Sequence, residues 1–150
     1  MHSLLEVFQN EALLAAVTGW FVAQALKIPT YWLVDKQWVW KRFFGSGGMP
    51  SSHTASMIAL SMVIGFTEGF ATPLFALSVM ITSVIMYDAT GVRRETGTQA
   101  VLINEIIKHV IVDGKPITNE ELKELVGHTP LEVLGGSIVG LVIGALYLIF

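Results

Sequence analysis

The sequence contains no cysteine. Disulfide bonds, thiolate nucleophiles and zinc or iron–sulfur sites with Cys ligands are therefore excluded. Charge is also scarce, because Asp, Glu, Lys and Arg make up only 14% of the 150 residues, whereas an ordinary soluble domain has roughly 25%. The net charge of −3 provides no basic field that would attract a nucleic acid. A typical water-soluble enzyme and a nucleic-acid-binding protein are both disfavoured.

The apolar residues form long runs. Hydrophobic residues account for 53% of the chain, and the mean hydropathy is +0.62. The last two of the four longest uncharged stretches contain 19 and 18 residues, long enough to cross a hydrocarbon core about 30 Å thick. The first two are shorter and can cross if Lys27 snorkels and His53 lies at the interface. The four stretches are Ala12–Leu26, Thr54–Thr67, Gly69–Tyr87 and Val133–Phe150.

This pattern predicts an all-α fold, an integral membrane helical bundle of about four transmembrane helices in a single membrane-embedded domain, residues 1–150. A soluble four-helix bundle is the alternative, but too little polar sequence remains to coat it. One or two short interfacial helices are also expected. The first is predicted over Gly97–Ile111 from apolar residues at helical spacing. The second begins at the capping box Thr118–Glu121 and ends at Gly127.

The basic residues are confined to two segments between these stretches. With four crossings, both segments lie on one side of the membrane, and the positive-inside rule places that side in the cytoplasm. The sequence therefore predicts a multi-pass protein of the cell membrane with both chain ends outside. The first segment contains Lys27, Lys36, Lys41 and Arg42, and the second contains Arg93, Arg94, Lys108, Lys115 and Lys123.

A first polar cluster, residues 47–55, precedes the second apolar stretch. Its sequence is Gly-Gly-Met-Pro-Ser-Ser-His-Thr-Ala. Pro50 and Ser51 suit the entry to a helix, with Ser51 as the N-cap. A helix N-terminus that follows glycines forms a natural phosphate cradle, and His53 would project from its first turn. The structural alternative is a capped helix start with an interfacial histidine.

A second polar cluster, residues 88–95, closes the third apolar stretch. Arg93 and Arg94 could clamp a phosphate, because guanidinium groups match its geometry. They could equally anchor the helix to lipid headgroups. The structural alternative for Asp88 is to pair with Arg93 or Arg94.

A third polar cluster, residues 127–136, precedes the last apolar stretch. Thr129 and Glu132 form a second capping box, with Pro130 at the first helical position. Glu132 also lies four residues after His128. A carboxylate bonded to one imidazole nitrogen fixes the tautomer and leaves the other nitrogen able to attack. Two histidines at two helix entries, with arginines between them, are the groups that phosphoryl transfer needs.

The three clusters together resemble one known family. Pro50–His53 resembles the Pro-Ser-Gly-His motif of the type 2 phosphatidic acid phosphatase superfamily, which also contains the vanadium haloperoxidases. His128–Glu132 resembles the final motif of that superfamily, His-x-Pro-x-Asp. Together with Asp-Ala-Thr-Gly-Val-Arg-Arg at residues 88–94, they resemble the divergent branch of the superfamily, which consists of small membrane proteins. The similarity extends roughly from Gln24 to Gly140.

The resemblance implies a mechanism that requires no metal and no other cofactor. The histidine of the final motif, here His128, attacks phosphorus and forms a phosphohistidine. The acidic residue that follows, here Glu132, orients that histidine. The histidine of the other motif, here His53, protonates the leaving oxygen. The residues expected to bind phosphate are Arg94, Arg93, Ser52, Ser51 and Lys27, with Asp88 in a supporting position.

The sequence departs from the family pattern at several positions. Ser52 stands where the family usually has glycine, and Glu132 replaces an aspartate. The family's arginine lies six residues before the nucleophile, whereas Arg94 precedes His128 by 34 residues, so the intervening segment must fold back. The first family motif, Lys-x6-Arg-Pro, does not occur. Lys27 is the candidate for its lysine, with Lys41 and Arg42 as alternatives.

Three functions remain open. The first is a membrane phosphatase whose substrate is a phosphatidic-acid-like lipid or an isoprenoid phosphate or diphosphate. The second is a catalytically inactive protein that binds phosphate or lipid, or a transporter component. The third is a metal-dependent enzyme that uses His53, Asp88, His128 and Glu132 as ligands. No nucleic-acid partner is expected. Self-association through small residues is possible, although the stripe of Gly136, Gly140 and Gly144 could equally pack within the chain.

Overall fold

The computed structural model describes residues 4–36, 38–45, 47–110 and 128–150, and these residues form helices and connecting loops without a strand. The predicted all-α class is therefore confirmed. Two 3₁₀ helices, Leu4–Gln9 and Trp40–Phe44, accompany five α-helices. The α-helices are α1 (Glu11–Asp35), α2 (Ser52–Glu68), α3 (Pro73–Thr90), α4 (Val92–Val110) and α5 (Pro130–Ile149).

Side-chain caps begin each of the four apolar helices. Four different side chains accept a hydrogen bond from an amide in the first turn of the helix that follows. Such a cap satisfies one of the backbone donors that a helix start leaves without a partner. In lipid this matters more than in water, because no solvent replaces the missing partner. The capping residues are Asn10 for α1, Ser51 for α2, Thr72 for α3 and Thr129 for α5.

The helix predicted over Gly97–Ile111 is present as α4, but it begins five residues earlier than predicted, at Val92. Only Gly91 separates α3 from α4, and hydrogen bonds link its amide to the Tyr87 carbonyl and its carbonyl to the Glu95 amide. Arg and Glu are good helix formers, so the polar cluster continues as helix instead of ending it. The second predicted interfacial helix lies outside the described residues.

The helix α2 is the centre of the bundle and contacts α1, α3 and α5. It runs antiparallel to α1, because Gly19 lies against Ala55 and Ala59 while Ala15 packs with Ala59 and Val63. It also runs antiparallel to α3, since Phe75, near the start of α3, lies beside Gly65, near the end of α2.

The helices α2 and α5 run parallel and very close together. A Cβ added at Gly140 would lie 2.6 Å from the Ala55 carbonyl oxygen, and one at Gly144 would lie 3.0 Å from Met62. A Cβ at Gly136 would overlap the Ser51 carbonyl oxygen. The glycine stripe therefore packs within the chain, so it provides no surface for self-association. Small residues serve this purpose in membranes because they let two helix backbones approach each other.

Three apolar segments are long enough to cross a membrane: Glu11–Val34, Pro73–Asn104 and Pro130–Ile149. At 17 residues, α2 is about 25 Å long and somewhat shorter than a hydrocarbon core. Because it lies alongside α5 and is covered by its three neighbours, it occupies the same layer as they do. The result is a membrane bundle in which the shortest of the four apolar helices is the most enclosed.

One end of the bundle collects the polar clusters, and we call it the polar end. The C-termini of α1 and α3 and the N-termini of α2 and α5 lie there, since the His128 amide donates to the Ala89 carbonyl at 2.9 Å and the Ser51 amide donates to the Glu132 carbonyl at 2.9 Å. Lys115 and Lys123 lie outside the described residues, so the expectation that both basic segments lie on one side stays a prediction.

The neighbouring glycines at the start of α5 give a matched stability test. We expect Gly136→Ala to destabilise the protein by about 1–3 kcal/mol or more, because its Cβ would overlap the backbone of Ser51. Gly135→Ala is the control, since its nearest neighbour, at 3.2 Å, is the flexible end of the Met49 side chain. Thermal unfolding in detergent would show a lower Tm for Gly136→Ala only. Equal Tm values for the two variants would contradict the close parallel packing.

Candidate functional site

The candidate site lies at the polar end, where α2 and α5 begin side by side. The two backbone hydrogen bonds from Ser51 to Glu132 and from His128 to Ala89 join the starts of both helices to the end of α3. Both helix N-termini therefore point their unpaired amides and positive dipole ends in the same direction. Such a pair of helix starts is suited to an anion.

The two serines of the first cluster are buried. Ser51 is fully buried, and its hydroxyl oxygen accepts hydrogen bonds from the Thr54 amide at 3.4 Å and the Thr54 hydroxyl at 3.0 Å. The predicted N-cap role of Ser51 is confirmed by these contacts. Ser52 occupies the first helical position and is 1% exposed. Their predicted contacts with phosphate oxygens stay predictions.

The structure brings His53 and His128 together. Their ring centroids lie 6.4 Å apart with an angle of 80° between the ring planes, which is an edge-to-face arrangement. His128 is 4% exposed, whereas His53 is exposed. The two imidazoles thus differ in solvent access although they are neighbours. A buried ring beside an exposed one is an arrangement that can separate a nucleophile from a proton donor.

Glu132 performs the structural role that its capping box predicts. Its Oε2 accepts a hydrogen bond from the Thr129 amide at 2.9 Å, and its own amide donates to the Thr129 hydroxyl at 3.3 Å. Its charge also interacts electrostatically with Lys27 on α1. The carboxylate therefore caps α5 and is also close enough to α1 for its charge to act on Lys27. Its predicted role in orienting His128 remains a prediction.

Lys27 is a buried cation at the edge of the site. It is 3% exposed, and its Nζ donates a hydrogen bond to the Gly45 carbonyl at 3.2 Å. Its side chain also runs past Gly48, whose φ of 83° is a left-handed conformation that favours glycine. Lys27 thus contacts the loop before Ser51, and among the three cations proposed for the missing family motif it is the one with this placement shown.

The other two candidate cations are Arg42, which has different surroundings, and Lys41, whose side chain the structure does not describe. The Arg42 guanidinium lies over the Tyr31 ring, 4.2 Å from its centroid, in a cation–π contact. Lys41 is in the 3₁₀ helix Trp40–Phe44, but its side chain is outside the described part of the structure. Nothing in the described contacts therefore places either residue at the phosphate site.

The second cluster reaches the site through the end of α3. Asp88 is partly exposed and adjacent to Ala89, the residue whose carbonyl accepts the His128 amide. Arg93 and Arg94 lie in the first turn of α4 by their backbone, and their side chains are not described. The hydrogen bond between His128 and Ala89 shows that the chain comes back to the end of α3 after α4. The long separation of Arg94 from His128 in the sequence requires such a return. The phosphate contacts of both arginines stay predictions.

The metal-dependent alternative has no support in the described geometry. Among the described residues, no three His, Asp or Glu side chains lie close enough together to hold a metal ion. The proposed ligand set of His53, Asp88, His128 and Glu132 is therefore not assembled as a metal site, and Glu132 is already used at the start of α5.

Two polar side chains of α1 near the site were not predicted from the sequence. Gln24 is 4% exposed, and its Nε2 donates to the Phe43 carbonyl at 2.8 Å. The Thr30 hydroxyl reaches the Met49 carbonyl. With Lys27 between them they are spaced three residues apart, so they lie along one face of the helix. Polar residues that recur every three positions in an otherwise apolar helix are the sequence pattern that could have identified these two side chains.

The Lys27–Glu132 interaction can be tested by a double-mutant cycle. Glu132→Gln retains an acceptor for the cap, because Gln also serves in a capping box, but it leaves Lys27 without its opposite charge. We expect the free energy of unfolding to fall by about 1–3 kcal/mol, between the values for exposed and fully buried pairs. Adding Lys27→Met should recover part of this loss. Strictly additive Tm shifts would contradict the interaction.

The comparisons with known proteins identify the family of the chain. Residues 8–143 match the Divergent PAP2 family. The chain is 35% identical to the protein named "Uncharacterized membrane protein YuiD" from Bacillus subtilis (strain 168), and the alignment covers 93% of this chain and 94% of that protein. No solved structure matches the chain significantly. Because the family match includes α1, α2, α3 and most of α5 together with both histidine motifs, the chain belongs to the Divergent PAP2 family.

Proposed function

We propose that this membrane protein is a metal-independent phosphatase of lipid phosphates that acts through a phosphohistidine intermediate. The observation that carries the proposal is the meeting of His53 and His128, with ring centroids 6.4 Å apart, at the joined N-termini of two parallel helices. This arrangement combines two imidazoles with an anion-binding end of the bundle. Membership of the Divergent PAP2 family supports a phosphatase-related protein.

In the proposed first step, a ring nitrogen of His128 attacks phosphorus while the bond to the leaving oxygen breaks. His53 donates its proton to that oxygen, so the lipid alcohol leaves neutral. In the second step water attacks the phosphohistidine, His53 takes the proton from the water, and inorganic phosphate leaves His128. The attacking nitrogen must lie about 3–3.5 Å from phosphorus, and the proton donor about 2.6–3.2 Å from the leaving oxygen. Because the two groups act on opposite sides of phosphorus, their nitrogens must be several ångströms apart. The observed ring separation is of that order.

The negative charge of the transferring phosphoryl group needs fixed positive partners, because this electrostatic contribution dominates phosphoryl transfer. The N-terminal dipoles of α2 and α5 supply one part. Lys27 supplies a buried cation beside the Gly47–Ser52 loop. Arg93 and Arg94, at the start of α4, are the proposed guanidinium partners. Water is kept away from His128 by burial, which strengthens each of these interactions.

The position of the site favours a substrate with a phosphate at the membrane surface and a tail in the bilayer. The polar end of the bundle adjoins apolar side chains that face outward from α5, including the exposed Leu131, Leu134 and Ile138. A lipid tail could lie along this face while its phosphate reaches the helix N-termini. Phosphatidic-acid-like lipids and isoprenoid phosphates or diphosphates share these properties.

One observation favours a protein that binds phosphorylated lipid without cleaving it. The Glu132 carboxylate accepts the Thr129 amide and interacts with Lys27, so its charge already has structural partners. If it does not also orient His128, the pocket would bind phosphate but lack an activated nucleophile. A transporter component could use the same pocket.

Variants of the two histidines separate these functions. We expect His128→Ala to abolish phosphate release from lipid phosphates, because the nucleophile is lost. His53→Ala should slow release by about 10²- to 10⁴-fold for alkyl leaving groups, and much less for an activated aryl phosphate that needs little protonation. The assay uses purified protein in detergent. Trapped phosphohistidine should appear in the wild-type protein and be missing from His128→Ala.

Two controls accompany this assay. Activity that persists in EDTA supports the phosphohistidine mechanism, whereas activity that EDTA removes supports a metal enzyme. Full activity in His128→Ala would show that any phosphatase activity comes from another residue or a contaminant. Tight binding of vanadate without any phosphate release from wild-type protein would identify the chain as a binder.

We also propose that the polar end faces the cytoplasm, on the basis of the confinement of Lys and Arg to the two segments that follow α1 and α3 in the sequence. Single cysteines give a clean test because the chain has none. An impermeant maleimide applied to intact cells should label Glu68→Cys, at the opposite end, but not Lys36→Cys; both positions are exposed. Permeabilised cells should label both. Labelling of Lys36→Cys alone in intact cells would place the site outside.

A further inference from the structure

Three side chains of α1 reach the loop that precedes the phosphate site. They are Gln24, Lys27 and Thr30, and each approaches a different backbone carbonyl. Gln24 Nε2 donates to Phe43 at 2.8 Å, and Lys27 Nζ donates to Gly45 at 3.2 Å. The Thr30 hydroxyl also lies near the Leu26 and Lys27 carbonyls, but the Met49 carbonyl is its nearest acceptor. We call this set the α1 donor stripe.

The loop held by this stripe leads directly into the start of α2. The carbonyls of Gly45 and Met49 in this loop, and that of Phe43 in the preceding 3₁₀ helix, accept hydrogen bonds from α1. The amides of Gly48 and Met49 donate no hydrogen bond within the described part of the chain. Gly48 has a positive φ that turns the backbone there. Three carbonyls before α2 are therefore occupied by α1, and the amides of Gly48 and Met49 have no acceptor within the described part of the chain.

Gln24 is an unusual residue for this position. It is 4% exposed in an apolar helix, and its Oε1 is buried without a hydrogen-bond partner. Exchanging the two ends of the amide would not help, because Oε1 would then face the Phe43 carbonyl, which is another acceptor. A buried acceptor without a partner lowers stability, so a residue that carries one needs another explanation.

We propose that Gln24 and Thr30 are positioning residues that hold the loop before Ser51 in its phosphate-binding conformation. This inference rests on the proposed function, since the loop matters only if a phosphate binds at the start of α2. Lys27 contributes charge as well as a hydrogen bond. Gln24 and Thr30 are neutral, so their effect on a ligand acts only through the position of the loop.

The variants Gln24→Met and Thr30→Val remove the two neutral donors while largely retaining side-chain volume. Thr67→Val is the matched control for Thr30, because the Thr67 hydroxyl also donates to the carbonyl four residues back but lies at the opposite end of the bundle. Gln9→Met, at an exposed position in the first 3₁₀ helix, is the control for Gln24. The double variant of Gln24 and Thr30 should show the largest effect.

We expect the double variant to raise KM for a short-chain lipid phosphate by at least about tenfold, because misplacement of a binding group by about 1 Å has consequences of this order. The kcat should change less than threefold, since both ground state and transition state lose the same contact. Hydrogen exchange of the peptide that spans residues 43–52 should be faster. The Tm of Gln24→Met should not fall, because the buried acceptor without a partner is removed as well.

The possible outcomes separate this inference from the proposed function. A double variant with unchanged KM and unchanged exchange, in an active protein, would overturn the positioning role and leave the phosphatase intact. Faster exchange confined to residues 43–52, without an effect of Gln9→Met or Thr67→Val, supports the role in holding the loop even if wild-type protein releases no phosphate. In that case only the proposed function fails. A lowered Tm with uniformly faster exchange would show a general structural role and overturn the inference.

Discussion

The parallel contact between α2 and α5 is the feature on which the site depends. A backbone carbonyl of α2 occupies the space that a side chain at Gly136 would fill, and Gly140 repeats the arrangement one turn later. Because both helices begin at the same level, their two sets of unpaired amides lie side by side, and His53 and His128 meet above them. A wider spacing would separate the two histidines and move the positive dipole ends of the two helices apart.

Much of this arrangement could be predicted from particular residues. Uncharged stretches identified the apolar helices, and Ser51 and Thr129 identified two helix starts because capping is a local interaction. The segregation of Lys and Arg predicted that both basic segments lie on one side of the membrane. Local signals were sufficient wherever a residue interacts mainly with its own helix or the adjacent turn.

The remaining features depend on contacts between distant segments. The glycines of α5 could have packed against another chain or against α2, and spacing alone could not decide between these partners. The start of α4 was placed too late because a polar cluster was assumed to interrupt the helix, although only Gly91 does so. The carbonyls that accept hydrogen bonds from Gln24 and Thr30 belong to Phe43 and Met49. These two residues have no regular spacing in the sequence, so no pattern predicts which carbonyls the two side chains contact. Glu132 caps its own helix and also interacts electrostatically with Lys27. Only the cap could be predicted from the sequence, because Lys27 comes near Glu132 only in the folded bundle.

The order of helices along the chain has a consequence for membrane insertion. The chain must travel back along the bundle before a second helix can run parallel to the first, and here α3 and α4 come between α2 and α5. During synthesis α2 therefore emerges well before the helix that covers its glycine-facing side. Until then the short α2 would expose Ser52 and Thr54, both buried in the finished bundle, and the buried Lys27 would have no Glu132 opposite it. We infer that α2 becomes stable in the bilayer only when α5 arrives, so a chain interrupted before α5 would lack the contacts that bury its polar side chains.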